Sequence, residues 1–209
     1  MKYFNITNQC YRAVHWLITL ATVLSISYSS TAFAESLSTD DLISSLQSGG
    51  YIIYMRHGPT DQSQKDSINP DFNDCKTQRN ISDSGYVELE EIASKIKALN
   101  IPVGDVYSSP YCRCQETAKI VFGDYTVEPD LAFSLTKSEK ESRYLGNQLY
   151  KMMFSAPSNN KNTVFVGHTA NLKEGLGIWP KPESVVVLFR KVNNQIVYQG
   201  MILPTDWPN

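Results

Sequence analysis

Arg56 and His57 stand side by side at the end of the apolar run YIIYM (51–55), with Gly58 directly behind them. His168 follows a second apolar run, TVFVG (163–167), and Arg113 lies shortly past the end of a third predicted strand, VGDVYSS (103–109). An imidazole near neutral pH exchanges protons or attacks an electrophile, and a guanidinium offers a rigid fork of donors to an oxyanion. Taken singly, each residue has a structural reading, a hydrogen-bonded histidine or a solvated arginine. Their common placement argues for one shared site, because ligands of open α/β sheets bind outside the carboxyl ends of the strands. Gly58 is expected to let the chain turn sharply as Arg56 and His57 emerge.

The elements that must position these residues follow from periodicity. Residues 39–47 read as a short capped helix, and 51–55 as a continuous apolar strand of the kind buried in a parallel sheet. A polar loop spans 59–80. A helix over 82–99 opens at Ser82 and carries Val87, Leu89, Ile92, Ile96 and Leu99 near helical spacing. There follow a strand at 103–109, a helix at 111–122 behind Pro110, a short strand at 125–129, a helix within 137–154 and a buried strand at 162–167. Two runs, 184–191 and 195–203, flank Asn193 and Asn194 as a terminal hairpin. Strands alternating with helices predict an α/β three-layer sandwich, its mostly parallel central sheet covered by helices on both faces.

The 209 residues are 42% hydrophobic and 19% charged, which fits one globular domain. The formal charge of −2 leaves no basic footprint, so nucleic acid is not an expected partner. Lys2 and Arg12, an apolar stretch at 13–26 and the small residues at 32–34 read as a secretory signal peptide cleaved after Ala34, with a retained membrane anchor as the alternative. Without residues 1–34 the domain (35–209) keeps 17 basic against 21 acidic residues, a formal charge of −4. It also keeps only two histidines, His57 and His168, and three cysteines, Cys75, Cys112 and Cys114. In an oxidising compartment an odd number implies one pair and one leftover thiol.

Three segments together carry a family resemblance: RHG (56–58), SSPYCRCQETA (108–118) and GHT (167–169). They resemble the histidine phosphatase, or phosphoglycerate mutase-like, superfamily. The middle segment matches an S-x-x-x-R-x-x-x-T-A pattern through Ser109, Arg113, Thr117 and Ala118, and NISDSG (80–85) matches the family's L-T-x-x-G helix start. The resemblance spans about residues 50–190. It implies His57 as nucleophile, with Arg56, Arg113 and His168 forming a phosphate pocket, and no metal or other cofactor. Physical chemistry supports the same roles. A neutral imidazole can take the phosphoryl group covalently, and two guanidinia can hold its equatorial oxygens.

Thr60 matches the Thr of R-H-G-x-T and is a candidate phosphate contact, while Arg79 is a candidate for an anionic part of the substrate near helix N–H groups. Cys75 and Cys112 lie just before Arg79 and Arg113, so both should flank the pocket and pair, leaving Cys114 free; a Cys112–Cys114 ring would be cramped. Many family members carry a proton-donating Glu beyond the third strand, where this chain has Phe133. Asp61, Glu128 and Asp130 are the remaining carboxylates considered, each more simply a solvated surface group. The expectation is therefore weak general-acid catalysis, with aryl phosphates preferred over alkyl phosphates.

The reading as a whole is a periplasmic or secreted, metal-independent phosphomonoesterase, with a phosphomutase or a non-catalytic phosphate or polyanion binder on the same scaffold as alternatives. Its partner would be a small phosphorylated molecule or a phosphorylated cell-envelope glycan, with no nucleic acid and no membrane once the signal is removed. Lipopolysaccharide core phosphates enter by analogy alone.

Overall fold

The computed structural model describes residues 37–156 and 159–208, so the expected signal segment (1–34) lies outside the described residues. In chain order the elements are α1 (Thr39–Ser48), β1 (Ile52–Arg56), α2 (Asp83–Ala98), β2 (Val103–Ser108), α3 (Cys112–Phe122), β3 (Thr126–Val127), α4 (Glu139–Ser155), β4 (Asn162–Gly167), α5 (Thr169–Leu176), β5 (Val186–Val192) and β6 (Gln195–Ile202). No helix among the described residues is long and apolar enough to cross a membrane.

The strands form one sheet in the order β3-β2-β4-β1-β5-β6. The first four are parallel, and β5 runs antiparallel to both β1 and β6. Successive side chains of a strand point to opposite faces. Ile53 and Met55 accordingly pack with Leu42 and Leu46 of α1, Leu89 and Ile92 of α2, and Ala118 of α3. Ile52 and Tyr54 pack on the other face with Leu149 and Met153 of α4 and Leu172 of α5. The result is an α/β three-layer sandwich with a mixed, mostly parallel sheet.

Local chemistry sets the element ends. Ser82 caps α2 by accepting from the Gly85 N–H, and Lys95 and Lys97 sit in its last turn, where cations favour the helix dipole. Leu89, Ile92 and Ile96 form its buried stripe, whereas Val87 is 56% exposed, because five residues before Ile92 it lies off that face. Asn193 and Asn194 both have positive φ (47° and 59°), the geometry a two-residue hairpin turn needs. The short strand expected at 125–129 is reduced to two residues, since Glu128 instead caps a 3₁₀ turn at Pro129–Leu131. Helix α5 has no counterpart in the sequence reading; it is eight residues long, contains Gly175, and buries only Ala170, Asn171 and Leu172.

The loop over residues 59–80 has almost no apolar core of its own and is ordered by polar side chains. Asp61 accepts from Ser63 and Gln64, Thr77 Oγ1 donates to Asp74 O and Asp71 O, and buried Gln78 bridges Asp71 O to the Cys112 N–H. A disulfide between Cys75 and Cys112, 37 residues apart, ties this loop to the start of α3, and Cys114 is a buried free thiol. In the chain-entropy model closing a loop of that length stabilises the fold by about 4 kcal/mol. A Cys75→Ser/Cys112→Ser variant should therefore lose about 2–5 kcal/mol in urea unfolding. Unreduced peptide mapping should recover the Cys75–Cys112 link, and a Cys75–Cys114 link would contradict the assignment.

Candidate active site

Parallel pairing of β1 with β4 places Arg56 opposite Gly167. The ladder continues one step past both strands: His57 N–H donates to Gly167 O at 3.1 Å, and Ser109 N–H to Val166 O at 2.9 Å. His57, His168 and Ser109 thus leave the sheet side by side, with the two imidazole centroids 5.4 Å apart. Arg113, in the first turn of α3, is 1% exposed, and its guanidinium carbon lies 4.4 Å from the centre of the Tyr111 ring. Arg56, His57, Arg113 and His168 line a cavity of about 400 Å³ with Arg79, with Gln64, Lys65 and Asp66 from the 59–80 loop, with Phe133 and Leu135, with Thr169 and Ala170 from the start of α5, and with Trp179 and Lys181.

Small and polar residues of the motifs hold this arrangement together. Gly58, expected to let the chain turn sharply, does so without a positive φ, and what it supplies is room: a Cβ there would come within 2.7 Å of the Leu89 side chain on α2. Gly58 N–H donates to Thr117 Oγ1, which itself donates to Arg113 O, so the loop behind the nucleophile candidate is bonded to the helix that carries Arg113. Gly85 plays the same steric part, packing where a Cβ would strike Pro59 O. Ser109 Oγ lies 2.9 Å from His168 Nε2, and Tyr54 Oη donates to His168 O at 2.7 Å.

The electrostatics favour neutral imidazoles among cations. Burial, and after it the positive charge of Arg113, holds both His57 and His168 well below the ordinary histidine range. His57 Nδ1 lies 2.9 Å from Gly58 O, which only accepts, so Nδ1 carries the proton and Nε2 keeps a free lone pair. Burial pushes the Cys114 thiol up to about 12, so it stays protonated beside His168. The Nε atoms of Arg56, Arg79 and Arg113 are all buried with no hydrogen-bond partner among the described residues. All three arginines line the cavity, where a tetrahedral oxyanion would find guanidinium donors.

Two carboxylates that the sequence reading passed over balance part of this charge. Glu183 accepts from Arg56 Nη2 at 3.2 Å and from the Thr60 N–H and hydroxyl, each at 3.1 Å; it also lies 3.8 Å from Arg79 Nη2 and 3.9 Å from His57 Nδ1. Asp66 accepts from Arg113 Nη1 at 2.8 Å and from the Arg79 N–H at 2.9 Å. Thr60 is therefore not a lining residue: it is buried, and its donors are spent on Glu183. Arg79 does line the cavity, but through its side chain and away from the α2 N-terminus, none of whose residues line it. Asp61 is tied up in its own turn, Glu128 caps the 3₁₀ turn and Asp130 accepts from Gln148, so none of the three lines the cavity. Phe133 does, with its ring centre 5.2 Å from that of His168.

A family model described as the histidine phosphatase superfamily (branch 1) matches residues 52–134, which carry Arg56, His57 and Arg113. Over that stretch the chain matches the histidine phosphatase superfamily. No curated protein sequence matches it. Among solved structures it is similar to the protein histidine phosphatase SixA complexed with tungstate, at 15% identity and a TM-score of 0.51 over 75% of this chain and 98% of the other. It is also similar to phosphoserine phosphatase from Entamoeba histolytica in complex with 3-phosphoglyceric acid, at 17% identity and a TM-score of 0.55 over 72% and 95%. At such identities the likeness is one of fold, and this histidine phosphatase fold places the two histidines and Arg113 at the carboxyl edge of the sheet.

The depressed imidazoles make stability depend on pH with a definite sign. Below about pH 6.5 the unfolded chain binds protons on His57 and His168 that the folded chain refuses, so stability is full above that pH and falls as pH drops. Each histidine should contribute a slope of about 1.4 kcal/mol per pH unit. Urea unfolding between pH 7 and pH 5 should show the decline, and His57→Asn should roughly halve the slope; a flat profile would mean that the folded imidazoles are protonated.

Proposed function

We propose that this histidine phosphatase is an exported phosphomonoesterase working through a phosphohistidine at His57. The observation that carries the reading is one cavity lined by Arg56, Arg79 and Arg113 beside a neutral His57 whose Nε2 is free. The tungstate complex of SixA and the 3-phosphoglyceric acid complex of phosphoserine phosphatase support an oxyanion or phosphate ester as the ligand class. The disulfide supports an oxidising destination, with residues 1–34 as the signal and 35–209 as the working domain.

In this reading Arg56, Arg79, Arg113 and His168 hold the phosphate, and His57 Nε2 attacks phosphorus as the ester P–O bond breaks. Positive charge then grows on the imidazole, where Gly58 O takes the Nδ1 proton's hydrogen bond and Glu183 lies 3.9 Å away. Asp66 supplies the leaving-group proton. An arriving dianion competes for Arg113, which frees the Asp66 carboxyl to carry a proton from solvent. The ester oxygen accepts that proton, and Asp66 then removes one from the water that hydrolyses the phosphohistidine. This proposal departs from the expectation of weak acid catalysis, and the ion pair of the loop carboxylate with Arg113 is what supports it.

Quenching with labelled substrate should trap phosphate on His57, and chelators should leave the rate unchanged. Arg113→Ala should lower turnover of a chromogenic phosphate ester about 10²–10³-fold in a folded protein. Binding of phosphate without any His57-dependent turnover would favour the non-catalytic reading, and transfer to a second phosphorylated molecule faster than to water would favour a mutase.

Asp66→Asn should lower alkyl-ester turnover about 100-fold while changing aryl-ester turnover much less. Equal losses on both would remove Asp66 as the proton carrier.

A further inference from the structure

Charge and shape at the cavity mouth are not used up by one phosphate. Five cations line the cavity, Arg56, Lys65, Arg79, Arg113 and Lys181, against one lining carboxylate, Asp66. Asp66 pairs with Arg113, while Glu183 pairs with Arg56 and lies near Arg79. Lys65 and Lys181 form no ion pair with a carboxylate among the described residues. This surplus sits in a domain whose formal charge is −4 without its first 34 residues.

The segment after α5 delivers the rest of the mouth. Pro180 is buried, and the residues on either side of it, Trp179 and Lys181, both line the cavity; Glu183, two residues further on, reaches Arg56. Trp179 stays 44% exposed, although an indole gains from burial, and Lys181 Nζ lies 5.3 Å from its ring centre. Lys173 approaches the same ring at 5.8 Å but is paired with Glu174. An exposed indole at a cavity mouth offers a flat face to a ring, and the Lys181 ammonium that lies over that indole offers a charge to a group carried on the ring.

Building on the phosphatase reading, we infer that the substrate is a phosphate ester of a ring scaffold bearing a second anionic group: the ring lies on Trp179, and Lys181 with Lys65 takes the second charge. The subsite contributes affinity and orientation; the chemistry stays at His57.

Calorimetry on the His57→Ala protein tests this with glucose 1,6-bisphosphate and glucose 6-phosphate. The bisphosphate should bind about tenfold more tightly, as expected for one added charge-assisted contact. That advantage should disappear when Lys65→Ala and Lys181→Ala are added, and Trp179→Ala should weaken both sugars. Equal affinities, an advantage that survives loss of both lysines, or no measurable binding of the bisphosphate at millimolar concentration would each overturn the inference. Hydrolysis of p-nitrophenyl phosphate by the unsubstituted chain separates the two readings. If it proceeds while the sugars bind equally, the subsite alone falls; if it is absent while the lysine-dependent preference is present, the subsite stands and the phosphatase reading falls.

Discussion

The pairing of β1 with β4 in a single parallel register is the constraint on which the site depends. Arg56 opposite Gly167 puts the next residue of each strand, His57 and His168, at the same height above the sheet. A slip of one residue would turn every side chain of a strand to the other face. It would send Ile53 and Met55 into the layer of Tyr54 and would carry His57 away from His168. The apolar alternation that builds two cores also aims the two imidazoles, so the packing of the sheet and the geometry of the site are one specification.

Around that pair the protein manages an excess of positive charge. Three arginines lie close enough to share a ligand, and like charges held together in a partly dry cavity are costly. Glu183 relieves Arg56 while holding the Thr60 N–H and hydroxyl, and Asp66 relieves Arg113 while fixing the Arg79 backbone. Each carboxylate therefore links cation to chain. The loop that brings Asp66 has little apolar surface to bury, and its order comes from side-chain hydrogen bonds, from Gln78 and from the Cys75–Cys112 bond.

The sequence told much about the sheet and about Arg56, His57 and His168, which stand at the ends of unbroken apolar runs, while Arg113, past a strand interrupted by Asp105, was legible through its motif. Ser82 and the Asn193–Asn194 pair mark their elements through local chemistry that a sequence displays directly. The partners of those residues were not legible in the same way. Glu183 reaches Arg56 across 127 residues and Asp66 reaches Arg113 across 47, and neither sits in a motif or at a strand end. A carboxylate in a polar loop reads as solvated until the fold shows what it faces. Asp66 alone gave a faint signal, lying in a long loop rich in side chains that bond backbone. Helix α5 escaped because its buried face is Ala, Asn and Leu, too short and too polar for periodicity to register.

Under the proposed phosphatase reading, the ion pair between Asp66 and Arg113 bears on how the cycle would end. A cavity of uncompensated guanidinia would grip inorganic phosphate as firmly as it grips an ester, and the enzyme would stall with its own product. Asp66 competes for Arg113 from within the chain, so an occupant must outbid a tethered rival that returns as soon as the site empties. The rival weakens ester and product alike in the ground state, and only interactions stronger in the transition state than in the ground state speed the chemical step. In kinetic terms the loop would act as an internal eluent.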